Sequence, residues 1–252
     1  MTATHYGWTK DEEDLRDYAF VPKFAAAALP PAVDLSAQPY EPPIVDQRPL
    51  QSCSAHALSA MVQFVRAKEG MPPLVPSRLF IYYNERLMAN QVASDTGATI
   101  RNGIKTIVKV GVCAEDLWPY DALKYAAEPP KACYDAAEPH RAMTYSRISG
   151  GLNELKSCLA EGYPFVFGMS VFKEFGSSEV AGSGVLPMPQ DGEAPLGGHA
   201  VTAVGYDAAA KTFKVRNSIG TWWGMRGYFT VPQAFMDSRR CTDDFWTIRK
   251  TG

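Results

Sequence analysis

The chain has 252 residues, of which 46% are hydrophobic, so it is long enough to bury a full core as one large domain or as two lobes. Its net charge of −2 and the lack of any run of five basic residues argue against a nucleic-acid partner. No apolar stretch approaches the roughly 18 residues that a membrane-spanning helix needs, so a membrane span is not expected.

Residues 1–28 form a polar leader that ends in four alanines. Its first twenty positions contain seven charged residues and no apolar segment, so a secretory signal peptide is not expected. The predicted location is the cytoplasm, or outside the cell after export without a conventional signal. Trp8, Tyr18 and Phe20 each cost about 1.5–3 kcal/mol to leave in water. The leader is therefore expected to lie against the body of the protein rather than to extend as a solvated tail.

The first half of the chain has helical periodicity. A helix is predicted over residues 53–69, because its apolar residues recur on one face before a Gly-Met-Pro-Pro segment ends it. A second helix is predicted to start near Pro76, and a third covers 99–110 and stops at Gly111. A shorter helix is predicted over 153–162.

The second half changes to short apolar runs and alternating patterns, which are typical of strands. The predicted strands are residues 165–169, 199–204, 212–216 and 227–231. Residues 176–198 are rich in Gly, Ser and Pro and are expected to form a long loop. Helices followed by strands indicate an α+β fold with two lobes.

Four residues in this layout have the chemistry of acyl transfer through a thiol. Cys53 begins the first predicted helix, where the helix dipole favours a thiolate. His199 is a candidate base for that thiol, and Asn217 is a candidate partner that fixes the orientation of the His199 ring. Gln47 lies just upstream of the cysteine, and its amide N–H is a candidate donor to an oxyanion.

These motifs resemble the papain-like cysteine peptidases, in which a glutamine precedes the nucleophilic cysteine by six positions, as Gln47 precedes Cys53 here. Gly198-His199-Ala200-Val201 is similar to the family's histidine strand. The segment 217–228 matches the family's Asn-Ser-Trp-Gly motif at every fixed position but Ile219. The resemblance extends over residues 29–235 and includes the bacterial-type members that carry a short N-terminal leader.

The resemblance implies a two-lobed fold with a helical N-terminal lobe, a β-barrel-like C-terminal lobe and the active-site cleft between them. Residues 29–140 would form the first lobe with the nucleophile, and residues 141–252 the second lobe with the histidine and asparagine. The implied activity is that of an endopeptidase acting on peptide or protein substrates, without a cofactor or a metal. Residues 1–28 would then lie near the cleft entrance, or alternatively against the rear of the fold.

The resemblance also implies a substrate-binding surface. Gly97 and Thr96 occupy the positions of the family's glycine pair, which binds the substrate backbone as an added strand. The family's main specificity pocket takes the second residue N-terminal to the scissile bond. The implied substrate-binding residues are Thr96, Gly97, Ala98, Gly198, Ala200 and Trp223. The pocket walls among them are small and uncharged, so an apolar or aromatic substrate side chain is expected.

Several alternatives remain open from the sequence. His56 lies one turn after Cys53 and competes with His199 as the base. A peptide-binding homologue without catalysis, or a peptide ligase that uses the same acyl-enzyme, would keep the same residues. Leu50 replaces the cysteine that forms a disulfide in secreted members of the family, so mostly free thiols are expected. A bond between Cys113 and Cys133 is not excluded.

Overall fold

The computed structural model describes residues 6–38 and 41–252. Residues 1–5 of the predicted leader lie outside this part of the chain. Three main helices follow the leader: α1 (Cys53–Lys68), α2 (Arg78–Leu87) and α3 (Ile100–Lys109). Shorter helices come later: α4 (Lys131–Ala137), α5 (Leu152–Ala160), α6 (Ser178–Ser183) and α7 (Gln233–Met236).

The predicted helix boundaries are confirmed within a few residues, because the capping residues stop the helices where the sequence indicates. The Ser77 hydroxyl accepts from the backbone N–H of Phe80 at the start of α2, and Thr99 caps α3 in the same way. Helix α6 lies inside the segment predicted as loop. It forms because the Ser177 side chain caps its first turn and Gly184, in the left-handed conformation, ends it.

The strands form one antiparallel sheet in the order β2-β7-β3-β4-β5-β6. The strands are β1 (Ala32–Asp34), β2 (Ala142–Ile148), β3 (Phe165–Val171), β4 (Gly197–Asp207), β5 (Thr212–Arg216), β6 (Tyr228–Pro232) and β7 (Thr242–Thr251). The four predicted strands correspond to β3, β4, β5 and β6. Strand β1 also pairs with β4, so an early segment joins a sheet built otherwise from residues after 141.

The core lies on the two faces of this sheet. One face buries stacked aromatic rings, among them Phe165, Phe167 and Phe245. The other face buries Trp246 and Ala200 against helix α1. Because successive strand residues point to opposite faces, Phe245 and Trp246 contribute to different halves of the core. This packing holds the N-terminus of α1 against the middle of the sheet, and it supports the predicted α+β architecture with a helical and a β lobe.

Replacing Phe167 by alanine should lower the free energy of unfolding by about 3–5 kcal/mol. The side chain is fully buried, and its ring stacks on that of Phe245 with 5.7 Å between the centroids. Urea denaturation measures the change. Leu123→Ala is the control, because that side chain is 93% exposed and its loss should change stability by less than about 0.5 kcal/mol. Equal effects of the two substitutions would contradict this description of the core.

Candidate active site

Cys53 is the first residue of α1, and its side chain is fully buried. The backbone N–H of Ala200 in β4 donates to the Cys53 Sγ atom over 3.3 Å. This contact joins the start of the helix to the strand that carries His199. The structure thus places the candidate nucleophile beside the residue that follows the candidate base in the sequence.

His199 and Asn217 are bonded to each other in the interior of the protein. His199 Nε2 lies 2.8 Å from Asn217 Oδ1, and both residues are buried. Since the Asn217 oxygen also accepts from the backbone N–H of Ser218 at 2.8 Å, the His199 Nε2 atom is the one that carries hydrogen. The Nδ1 atom of His199 is then unprotonated and suited to accept a proton. Burial lowers the pKa of His199 to about 4, against the opposing effect of the Asn217 hydrogen bond.

Gln47 is held next to this pair. Its backbone N–H donates to the Ser218 carbonyl at 2.8 Å, and its side-chain oxygen accepts from the Ser218 hydroxyl at 2.7 Å. The amide nitrogen donates to the carbonyl of Leu50 at 3.0 Å, in the loop that leads into α1. Gln47 therefore connects the segment after Asn217 with the segment before Cys53, and all four predicted residues belong to one site.

His56 has the surroundings of a core histidine. Its Nδ1 atom lies 2.9 Å from the carbonyl of Ser52, and its ring meets Tyr120 edge-on with 4.8 Å between centroids. Burial, and secondarily the charge of Arg78, lower the pKa of His56 to about 3. The ring is therefore neutral at physiological pH and is bonded within its own helix turn. These contacts favour a structural role for His56.

Aromatic rings cover the His199 side chain. The ring of Phe175 lies 5.8 Å from the imidazole, and that of Tyr6 in the leader lies 5.9 Å from it. Trp223 is buried behind Phe175 at 5.1 Å. Phe175 thus helps to exclude water from the histidine in a structure where Ile219 replaces the usual tryptophan. Sequence reasoning missed Phe175 because it lies between the predicted strand 165–169 and the predicted loop 176–198, in a stretch to which no element was assigned.

The leader follows a path through this site. The Trp8 backbone N–H donates to the Gly198 carbonyl at 2.9 Å, and the Thr9 N–H donates to the Ala98 carbonyl at 3.2 Å. In return, the Ala98 N–H donates to the Gly7 carbonyl at 2.9 Å, and Trp8 pairs with Ala98 as a parallel bridge. Of the residues expected to bind a substrate backbone, Ala98 and Gly198 therefore bond the backbone of this chain's own leader.

The other predicted substrate-binding residues have different surroundings. Gly97 adopts a φ of 72°, and a side chain there would overlap the Gly7 backbone. Ala200 binds the thiol through its N–H, as described above. Thr96 is exposed, and its hydroxyl lies 3.3 Å from the side-chain oxygen of Gln91. Trp223 packs against Phe175 and Phe229 in the aromatic cluster, with 5.1 Å and 5.4 Å between ring centroids.

The leader also changes the electrostatics of the thiol. Burial raises the pKa of Cys53 to about 11, and the charge of Glu85 adds to the shift, whereas N–H groups of Ala200, Gly7 and Ser54 oppose it. The expectation of a lowered pKa from the helix dipole does not hold for this arrangement. In this arrangement, burial of the sulfur outweighs the effect of the helix N-terminus and favours the neutral thiol.

A group of charged residues fastens the leader to the sheet; we call Asp11, Asp17, Arg101, Arg147 and Asp244 the clasp. The Asp17 carboxylate pairs with Arg101 at 2.5 Å and with Arg147 at 3.4 Å. The Asp11 N–H donates to Asp244 Oδ2 at 2.7 Å, and Arg147 donates to Asp244 Oδ1 at 2.7 Å. Three of the five residues come from α3, β2 and β7, so the clasp joins distant parts of the fold to the leader.

Among the described residues, no helix is both long enough and apolar enough to cross a membrane. The Tyr18 ring is 64% exposed, whereas Phe20 is buried. All three aromatic residues expected to dock contact the body, since Trp8 is half-buried, Phe20 is buried, and the Tyr18 ring meets Tyr145 edge-on with 5.4 Å between centroids.

Comparisons with known proteins agree with the geometry. A family model described as papain family cysteine protease matches residues 29–242. An uncharacterized peptidase C1-like protein from Acanthamoeba polyphaga mimivirus is 41% identical over 215 residues, which cover 82% of this chain and 69% of the relative. The crystal structure of xylellain, a cysteine protease from Xylella fastidiosa, is similar with a TM-score of 0.90 and 40% identity, over 98% of this chain and 96% of that chain. A procathepsin B from Trypanosoma congolense shares the fold with a TM-score of 0.72 at 20% identity, over 90% and 80% of the two chains.

The two facing carboxyl groups of the clasp should titrate at unusually high pH. Burial, followed by the charge of Asp11, raises the pKa of Asp244 to about 7, and burial also raises the pKa of Asp11. A carboxyl group whose pKa is raised in the docked state favours docking at low pH, and this contribution is lost as the pH rises through about 7.

Carboxyl carbon NMR titration of the full chain tests this expectation. The Asp244 midpoint should lie near 7 and should fall in Asp11→Asn, because that substitution removes the neighbouring charge. Asp135→Asn on the exposed face of α4 is the control and should leave the midpoint unchanged. An Asp244 midpoint near the ordinary value of about 3.9 in the unsubstituted protein would contradict the geometry of the clasp.

Proposed function

The chain belongs to the papain family of cysteine proteases, and on that premise we propose that it hydrolyses peptide bonds through a thiol acyl-enzyme at Cys53. The observation that supports this most strongly is the junction of α1 with β4, where the Cys53 sulfur bonds to the N–H of Ala200 beside His199. The Cys53 sulfur attacks the substrate carbonyl carbon, and its proton passes to Nδ1 of His199. The same proton then goes to the leaving amine, and water hydrolyses the thioester.

Asn217 orients the imidazole in this proposal. The bond from His199 Nε2 to Asn217 Oδ1 leaves Nδ1 as the basic nitrogen. The pKa values of about 11 for Cys53 and about 4 for His199 describe a neutral pair under the leader. Displacement of the leader admits water and substrate, which removes much of the burial that disfavours the charged thiolate and imidazolium.

Gln47 and the start of α1 stabilise the oxyanion. The Gln47 amide is fixed through Ser218 and Leu50, and the backbone N–H of Cys53 points out of the first helix turn, where it has no partner within the helix. Two fixed donors near the attacked carbonyl stabilise the charge that develops in the transition state. The backbone of the substrate is held by Ala98 and Gly198, the groups that now bond the leader. Gly97, Thr96, Ala200 and Trp223 complete the proposed binding surface.

The leader acts as an internal inhibitor in this proposal. The backbone N–H of Gly7 lies near enough to the Cys53 sulfur to oppose the rise in its pKa, and the Gly7 carbonyl accepts from the Ala98 N–H at 2.9 Å. A substrate must present a carbonyl carbon to the sulfur, so the leader covers the thiol in a pose that cannot be attacked. A segment on the same chain competes with substrate at an effective concentration that reaches the millimolar range for short flexible linkers.

A reducing compartment such as the cytoplasm suits the cysteine content. All five cysteines are free thiols, including Cys113 and Cys133, which lie close enough to interact. The two rival functions lack a specific observation in their favour. A set of fluorogenic peptides with product masses as readout distinguishes hydrolysis from ligation and from binding without turnover.

Substitutions at the site should divide into three levels of activity on a fluorogenic peptide. Cys53→Ala and His199→Ala should each reduce kcat/KM by at least about 10⁴-fold, as removal of a nucleophile or its base does in other proteases. Gln47→Ala should cost about 10²–10³-fold, the usual effect of losing one oxyanion donor.

His56→Ala is the matched control, since it removes a second buried imidazole from the same region without touching the proposed chemistry. Its activity per folded molecule should stay within about threefold of the unsubstituted protein, well inside the cost of one catalytic group. If His56→Ala were inactive and His199→Ala active, His56 would be the base and the assignment of His199 would be wrong.

Gly7→Ala should expose the thiol. A methyl group on Gly7 would overlap the Gln51 carbonyl, so the leader must shift away from Cys53. The rate at which an epoxide thiol probe labels Cys53 should rise by about tenfold or more, since a clash of this kind costs more than about 1.4 kcal/mol.

Gly182→Ala provides the matched control, because a methyl group there meets no atom within 4 Å. It should leave the labelling rate unchanged. If Gly7→Ala labelled no faster than this control while remaining folded, the leader would not restrain the thiol.

A further inference from the structure

A pocket beside the thiol is filled by the indole of Trp8. A side chain on Gly168 or on Gly198 would overlap the Trp8 ring, so these two glycines form the floor on which the indole lies. Gly168 in β3 pairs with Ala200 in β4 on one side and with Asp243 in β7 on the other. The pocket therefore lies on the sheet itself. Its occupant, Trp8, is the residue after Gly7, whose backbone lies at the Cys53 sulfur.

An acidic side chain lies at the end of this pocket. Trp8 Nε1 donates to Asp244 Oδ2 over 3.2 Å, and the Asp244 side chain is fully buried. The backbone explains its direction. Between the pairs Val166–Trp246 and Gly168–Asp243, strand β7 has one residue more than β3. Such a bulge turns a side chain out of the regular alternation.

The bulge also carries strain. Asp244 has a φ of 55°, a left-handed conformation that few residues other than glycine adopt. Strained backbone of this kind persists only where the surrounding structure holds it, and it concentrates at binding sites. The strain at Asp244 and its contact with Trp8 are independent observations, and both point to a carboxylate aimed at whatever occupies the pocket.

The two oxygens of Asp244 have different donors. Arg147 donates to Oδ1 at 2.7 Å, and both residues belong to the sheet. Oδ2 accepts from Trp8 Nε1 and from the N–H of Asp11, and both of these donors belong to the leader. When the leader leaves, Oδ2 loses both donors while Arg147 remains engaged with Oδ1. A buried charged acceptor without a donor is costly, so an incoming ligand that supplies an N–H is favoured.

We infer that Asp244 selects substrates whose side chain in the Trp8 pocket ends in N–H groups, with arginine favoured over leucine. This inference rests on the proposed peptidase function. Gly198, which was expected to line the family's main specificity pocket, forms part of the floor under Trp8. The pocket therefore takes the second residue N-terminal to the scissile bond. A pocket that accommodates an indole has room for an extended guanidinium, whose N–H groups then reach the Asp244 carboxylate. The small, uncharged wall residues gave no sign of this acceptor.

The departure of Asp11 strengthens the selection. Its charge is, after burial, the second cause that raises the pKa of Asp244. Without that neighbour Asp244 ionises more readily, and a carboxylate forms stronger hydrogen bonds to a guanidinium than a neutral carboxyl group does. A hydrogen bond of this type, gained or lost, changes kcat/KM by roughly 10–100-fold.

Two fluorogenic peptides that differ only in arginine or leucine at this position test the inference on the full chain. The readout is the ratio of their kcat/KM values. The leader competes equally with both peptides, and the fraction of enzyme that is active is the same for both, so neither affects the ratio. We expect an arginine-to-leucine ratio in the unsubstituted protein of roughly 10–100. A ratio below ten overturns the inference even if no variant is made.

Asp244→Asn should lower that ratio at least fivefold. Asp34→Asn is the matched control in the same sheet, where the carboxylate pairs with Lys214 at 2.8 Å away from the cleft, and its ratio should not change. An equal ratio in the two variants overturns the inference. If both peptides are cleaved with equal kcat/KM, only the role of Asp244 has failed. If neither peptide is cleaved and no probe labels Cys53, the proposed function has failed and the inference with it.

Discussion

The contact between the start of α1 and the middle of β4 is the constraint on which the site depends. It places the Cys53 sulfur on the N–H of Ala200, and the alternation of β4 then fixes where the neighbouring His199 lies. Buried apolar residues, among them Trp246, pack α1 against the sheet, and the Thr202 hydroxyl in β4 donates to the Ala57 carbonyl in α1 at 3.2 Å. Because the two elements are far apart in the chain, the candidate nucleophile and the candidate base meet only when both halves of the fold are complete.

The leader occupies the same junction. Its Gly7 meets the sulfur, its Trp8 fills the neighbouring pocket, and the clasp holds the following residues through Asp11 and Asp17. The covering excludes water from Cys53, and this desolvation keeps the sulfur protonated in spite of the helix N-terminus. In the proposed function, protection of the thiol and occupation of the substrate-binding surface have one cause, because the same few leader residues lie in the cleft.

The catalytic candidates were readable from the sequence because each lies in a short motif of fixed spacing. Gln47 and Cys53 flank the start of a helix, and Asn217 opens a turn rich in glycine, so local pattern was enough. The position of Asp244 was not readable, since it depends on the pairing of β7 with β3 and on a bulge in one strand. Phe175 was missed for a similar reason, because the short stretch between the predicted strand 165–169 and the predicted loop has no pattern that reveals which ring packs against His199.

The reactivity of the five thiols offers the most direct test that Cys53 is the nucleophile. All five cysteines are buried, so accessibility alone does not single one out. The chain should be treated with a limiting amount of an epoxide thiol probe under native conditions, digested, and mapped by mass spectrometry. The account predicts modification at Cys53 alone. Modification of Cys113, Cys133, Cys158 or Cys241 at an equal or faster rate would contradict it.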